Sequence, residues 1–252
     1  MVGAIIPARM SSKRLPGKVL MPLGSKSMLA WVVDAVRGAS RVEHVVVLVT
    51  SDVQDHPILV ECKKLGVDVY RGSCRRDVLG DFHHIADKFK FDPVVRVTAD
   101  CPLVSSVLID NVLEEYFKGC DYCCNGINPE YRTFPRGLDV DVMSYAVLKW
   151  MNENLTPDKT PFGRYHPDYR KHVVLYLREN LSTFTVRHVK LDLNKLRLTV
   201  DTPEEYDKMN NLFSRMGDNP SWLRALDIID RNPDLTVLET PDSQTKAKWR
   251  VW

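Results

Sequence analysis

The sequence predicts an α/β fold, a mostly parallel sheet flanked by helices. Short β-rich runs alternate with helical stretches between residues 2 and 119. One of these runs, HVVVLVT at 44–50, is almost continuously apolar, as in strands buried on both faces. Serine, aspartate and glycine stand where helices should start and stop.

Taken in order, VGAII (2–6) reads as a buried strand, and MLAWVVDAVRGA (28–39) carries apolar residues at helical spacing and ends near Gly38. HVVVLVT is the second strand. ILVECKKLG (58–66) is a helix whose Gly66 suits the residue after the cap. VDVYRG (67–72) is the third strand, and Asp77 can cap VLGDFHHIADKF. PVVRVTA (93–99) is the fourth strand, followed by a helix over 105–119 that starts at Ser105 or Ser106. This β-α-β-α order implies parallel strands joined by right-handed crossovers.

Past residue 120 the rhythm changes to a small mixed β subregion. DYCCN and GLDVDVMS look like strands, the second with strict alternation. Residues 152–168 read as a long loop, 169–180 as a helix, and TFTVRHVKL and LRLTV as two further strands. DTPEEYDKM starts a helix, with Thr202 as N-cap, Pro203 at the first position and Glu205 closing a capping box. SWLRALDIID is another helix; the tail SQTKAKWRVW has no assigned element. The expected organisation is one domain over 1–252. It comprises two halves, over 1–120 and 121–215, and a C-terminal helical extension (216–252).

The 252 residues carry a formal net charge of +2, which gives no global field to draw nucleic acid or a membrane. No apolar run reaches the length of a membrane span. Without a basic, apolar leader at the start, a cytoplasmic location is expected. Six cysteines include a C-x-x-C within CDYCC, but one such pair falls short of four zinc ligands, so small buried residues are expected there.

The charge that matters is local. After the first strand, IIPARMSSKRLPGK places Arg9, Lys13, Arg14 and Lys18 in one loop. In open α/β sheets ligands bind beyond the carboxyl ends of strands, where this loop begins. Four clustered cations are reconciled by a polyanion such as a nucleoside triphosphate. Gly17 permits close backbone approach and Pro16 stiffens the turn. The P-loop pattern and the G-x-G-x-x-G fingerprint are both missing. A solvated basic loop without a chemical role is the alternative.

IIPARMSSKRLPGKVLMPLGSKSML resembles the opening signature of the cytidylyltransferases that activate acidic sugars, nearest to the spore-coat-polysaccharide type. The resemblance continues through DVLGDFHHIAD, VVRVTADCPLV, YRTFPRGLDVDVMS and LRLTVDTPEEY, and covers roughly residues 2–210. It implies a nucleotide-diphospho-sugar-transferase-like (Rossmann-like) sheet. It also implies a triphosphate site using Pro7, Ala8, Arg9, Lys13, Arg14 and Lys18. With Gly17 as the one glycine in that stretch, the loop favours CTP over the Gly-rich loops of thymidylyl- and guanylyltransferase relatives.

Asp100 and Asp201 each follow a predicted strand, at the sheet's carboxyl edge. Two carboxylates converging there suit Mg²⁺, and the resemblance assigns them the same role. Helix caps or turns before Pro102 and Pro203 are the alternative. Arg9, Lys18, Asp100 and Asp201 are therefore the expected catalytic set. Ser73 and Arg75, in GSCRRD, are candidates for the cytosine edge, although that segment departs from the family's commoner acidic pattern. An anionic sugar acceptor, implied by the resemblance, calls for bidentate arginine. The candidates are Arg132, Arg136 and Arg170 with His172, and Asp139 is added as a weaker member. Asp139 and Asp141 form a D-x-D that, on one strand face, would suit a glycosyltransferase using a nucleotide-sugar. The expected reaction is transfer of CMP from CTP to the acceptor. The resemblance also implies a homodimer, with residues 125–145 near the interface.

Overall fold

The computed structural model describes all residues except 73–76, 127–133, 157–165, 167, 181–184, 189–195, 218 and 238–252. The apolar runs of the first half become β1 (Gly3–Pro7), β4 (His44–Val49), β5 (Asp68–Arg71) and β6 (Val94–Arg96). Between β1 and β4 lie the hairpin β2 (Pro22–Leu23) and β3 (Lys26–Ser27) and helix α1 (Met28–Arg37). Helices α2 (His56–Leu65) and α3 (Val78–Phe89) make the next two crossovers, and α4 (Ser106–Tyr116) follows β6. The second half adds β7 (Tyr122–Cys124), β8 (Asp141–Met143), α5 (Tyr145–Asn154), α6 (Asp168–Lys171), α7 (Leu175–Glu179), β9 (Val186–His188), α8 (Pro203–Met216) and α9 (Trp222–Arg231).

The main sheet has the order β5-β4-β1-β6-β8-β7-β9. Strands β4, β1 and β6 pair in parallel, as do β7 and β9, whereas β8 runs antiparallel to both its neighbours. Side chains alternate across this sheet. Ala4, Ile6, Val47, Val95 and Val142 enter one apolar layer with α1, α2, α4 and α8. Ile5, Val46, Val94, Tyr122 and Met143 enter the other, with α3, α5 and α7. Ile5 and Val94, fully buried, each contribute on the order of 1.5–3 kcal/mol through burial.

The predicted caps form. Asp77 accepts from the Gly80 amide at 3.0 Å, Ser105 accepts from Leu108, and Thr202 and Glu205 complete the capping box. Gly66 ends α2 at φ 58°, in the left-handed region. Four expectations change. The segment 145–154 is a helix, started by Ser144 and burying Val147, Leu148 and Met151. The predicted helix over 169–180 breaks at His172–Val174, which sends Val173 and Val174 into the core. Of GLDVDVMS, Asp141–Met143 form the strand. LRLTV pairs with the sheet region through one bridge, Arg136 to Arg197. Its chain is instead held across the carboxyl edge, where the Val200 amide donates to the Asp100 carbonyl at 3.3 Å. Among the described residues, no helix is long and apolar enough to cross a membrane.

Candidate active site

The loop after β1 is shaped by its backbone. The Ala8 amide donates to the Leu48 carbonyl, and the Met10 amide donates to Asp55 Oδ1 at 2.7 Å. Asp55, 1% exposed, also accepts from the Thr50 amide and so ties the loops that follow β1 and β4. Gly17, at φ 75°, donates to the Met10 carbonyl and closes the excursion. Arg9, Lys13 and Arg14 are left exposed along a cavity of about 750 Å³ that Pro7 and Ala8 also line. Ser11 Oγ is buried in this loop without a hydrogen-bond partner, although the residue lines the cavity. Polar atoms so placed ordinarily have a partner, which leaves this hydroxyl with hydrogen-bonding capacity at the cavity.

Lys18 does not share the solvent with the other three cations. Its Nζ lies 2.7 Å from Asp100 Oδ2 and 2.8 Å from Asp201 Oδ1, and it donates to the Val200 carbonyl at 2.7 Å. Two backbone facts bring these carboxylates together. The Asp100 carbonyl accepts from the Val200 amide and the Thr199 hydroxyl, and Glu205 accepts from the Asp201 amide at 2.6 Å. Arg14 and Arg197 complete the ring around Asp201, at 2.9 and 3.2 Å. Burial pushes the Asp201 pKa up, but Lys18, Arg14 and Arg197 outweigh it and hold the carboxyl below its ordinary value. Burial opposes the charge on Lys18, and Asp100 and Asp201 more than restore it.

The donor set fits a divalent cation. Two carboxylates and a carbonyl already converge on one cationic centre, and Mg²⁺ needs few protein oxygens when phosphates and waters supply the rest. Among the described residues, no group of three or more His, Cys, Asp or Glu side chains is arranged as a metal cage. The C-x-x-C is not one: Cys120 is half-buried and Cys123 is buried, and burial pushes both thiols up.

Eight Lys and Arg side chains face five Asp side chains around the cavity, so the enclosed field favours an anion. Arg136, Asp139 and His172 line it as well. Desolvation, aided by Arg96, Lys171 and Arg9 and opposed by Asp168, lowers the His172 pKa and favours the neutral ring. Arg170 is not on the cavity wall. Its guanidinium is held by Asp77 at 2.7 Å and by Asn152, bracing α6 against α3 and α5. Ser73, Arg75 and Arg132 lie outside the described residues.

The D-x-D pair is divided. Asp139 accepts from the Gly137 amide at the cavity, whereas Asp141 is fully buried between Arg96 and Arg178. The two carboxylates do not face one site, because Asp141 is enclosed by Arg96, Arg178 and Tyr122 while Asp139 lines the cavity. Arg96 and Arg178 both line the cavity, and neither was expected there. Arg96 lies openly in VVRVTAD, at the end of a parallel strand, which was the available signal.

Residues 3–228 match the model of a family described as cytidylyltransferase. The chain is 33% identical over 249 residues to the spore coat polysaccharide biosynthesis protein SpsF of Bacillus subtilis, covering 94% of this chain and 98% of that one. It is also similar to the structure of a cytidylyltransferase from Leptospira borgpetersenii serovar Hardjo-bovis, at TM-score 0.83 and 30% identity over 95% of this chain and 98% of the other. A CMP:2-keto-3-deoxy-manno-octonic acid synthetase complexed with CTP shares the fold, at TM-score 0.65 and 15% identity, covering 86% of this chain and 100% of that one. A basic loop and two converging aspartates at the carboxyl edge of this sheet, together with a match over most of the chain, place the protein in the cytidylyltransferase family.

Proposed function

We propose that this nucleotidyltransferase moves CMP from CTP to an anionic sugar, such as a 3-deoxy keto-sugar acid or a related sugar or phosphorylated acceptor, and releases pyrophosphate. The product would serve surface or spore-coat polysaccharide synthesis. The observation that carries the reading is the convergence of Asp100 and Asp201 on one cation beside Arg9, Lys13 and Arg14. The relative SpsF and the CTP-bound fold neighbour support the choice of chemistry.

In this reading Arg9, Lys13 and Arg14 take the triphosphate, with the Ser11 hydroxyl as a further donor. Asp100 and Asp201 would hold Mg²⁺, which when bound supplies charge neutralisation at the phosphates. Lys18, held between the two carboxylates, would add its charge beside the leaving pyrophosphate. The acceptor hydroxyl oxygen bonds to the α-phosphorus as the bond to the bridging oxygen breaks. Pyrophosphate departs with the electron pair, and the hydroxyl proton passes to water. Positioning and electrostatics carry such a reaction, so the loop's rigidity matters more than any one base. Residues 1–120 serve the nucleotide and 121–215 the acceptor, to which Arg136, Asp139 and His172 contribute. A cytoplasmic homodimer, with its contact near 125–145, completes the reading.

Pyrophosphate release tests it, with CTP, ATP, GTP and UTP compared in the presence of Mg²⁺ and a panel of sugar acids and sugar phosphates. CTP with an anionic sugar should give turnover. Equal rates with all four nucleotides, or breakdown of a CMP-sugar without use of CTP, would sink the idea.

A further inference from the structure

Across the sheet from Lys18, a second charged centre faces the same cavity. Arg96 ends β6, in register with Ile5, and Arg178 belongs to α7. Both guanidiniums rest on one carboxylate. Arg96 Nη1 is 2.7 Å from Asp141 Oδ2, and Arg178 Nη2 is 2.7 Å from Asp141 Oδ1. The Tyr122 hydroxyl donates to Asp141 Oδ1 at 2.5 Å and accepts from Arg178 Nε at 3.1 Å. Asp141 is 0% exposed, and the two arginine side chains keep 20% and 17%.

One buried carboxylate needs one guanidinium. A second, largely desolvated, adds cost without completing a pair. The forks also have capacity to spare. Among the described residues Arg96 donates only through Nη1, and Arg178 Nη1 donates to no described acceptor. A partly buried cationic fork with unused N–H groups suits a bidentate oxyanion. In this reading the nucleotide's phosphates already have the loop cations Arg9, Lys13 and Arg14.

We propose that Arg96 and Arg178, held by the single buried carboxylate of Asp141, form an oxyanion subsite that takes the carboxylate or phosphate of the acceptor. The assignment rests on reading the cavity as a nucleotidyl-transfer site. It makes this pair, rather than Arg170, the selector of acidic acceptors.

The experiment follows thermal unfolding of the protein loaded with CTP and Mg²⁺ as inorganic phosphate or pyruvate is added. Wild type should be stabilised by at least one of the two. Arg96→Gln, in which Arg178 still neutralises Asp141, should need at least tenfold more of that anion while keeping its CTP affinity within threefold. Arg96→Lys should fall between. Stabilisation by phosphate alone points to a sugar phosphate acceptor and by pyruvate alone to a sugar acid; both support the oxyanion site. No stabilisation of wild type, or an unchanged response in Arg96→Gln, overturns the proposal. Should Arg96→Gln fail to fold, Arg178→Lys carries the same comparison. If CTP does not bind at all, the proposed function fails by itself. The Arg96 dependence of anion binding to the unloaded protein then still decides this inference.

Discussion

Lys18 is the residue on which the two aspartates depend. With three acceptors within 2.8 Å, its ammonium is the counter-charge for both carboxylates. Lys18→Met removes that charge and leaves Asp201 with Arg14 and Arg197. Because Asp100 keeps 27% exposure, the expected loss is about 2 kcal/mol, below that of a fully buried pair, and scanning calorimetry should register it as roughly 4–8 °C. An unchanged midpoint would mean that the carboxylates do not need the cation. The acid limb of stability has a similar origin. Burial raises the Asp141 pKa, yet Arg178 and Arg96 reverse this and hold it below its ordinary value, as the surrounding cations do for Asp201. Between the folded and unfolded pKa values the unfolded chain binds more protons, so the contribution is complete above the ordinary carboxylate range and is lost as pH falls through the folded values. Urea unfolding of wild type from pH 7 to 3 should show a steep loss below about pH 4. Asp141→Asn should be several kcal/mol less stable at neutral pH, on the order of 3–5, with a shallower acid slope. Equal slopes would show that Asp141 takes no part.

At the scale of elements, the site is assembled by chain crossings that carry little sequence signal. Gly137 has φ 102°, and a Cβ there would lie 2.3 Å from the Leu198 carbonyl carbon and 2.4 Å from the Thr199 amide nitrogen. Only glycine lets the 134–139 loop lie on the strip that carries Asp201. Gly137→Ala is therefore expected to cost more than about 2 kcal/mol and to lower kcat/KM at least tenfold. Wild-type kinetics in that variant would show the crossing to be dispensable. Local signals were legible: Asp77, Ser105 and the Thr202–Glu205 box each act within three residues, and each was found by pattern. The basic loop was legible for the same reason. The contact of Lys18 with Asp201 spans 183 residues, and no spacing rule reaches that far. The helix over 145–154 escaped because an alternating strand pattern runs straight into its cap at Ser144. Asp139 and Asp141 misled because the alternation of a strand was extended past the place where the strand begins.

Over the whole molecule, one sheet joins strands from both halves, and the cavity lies along its carboxyl edge with cations on both sides. A ligand bound there restrains loops from distant parts of the chain. CTP with Mg²⁺ at a hundred times its dissociation constant should add about 2.7 kcal/mol, read as a rise of roughly 5–10 °C in the unfolding midpoint. CTP without metal should give less. Equal shifts from CTP and GTP would contradict a cytosine-reading pocket.

The reversed strand β8 also sets a timetable for synthesis. It slots between β6 and β7, so Arg96 leaves the ribosome 45 residues ahead of the carboxylate that neutralises it. Until residues 141–143 emerge, β6 is an open edge bearing a lone guanidinium, a charge of the kind that discourages pairing with other chains. The arginine can thus serve the nascent chain as a guard before it serves the finished site, and the first 120 residues have reason not to close their sheet alone.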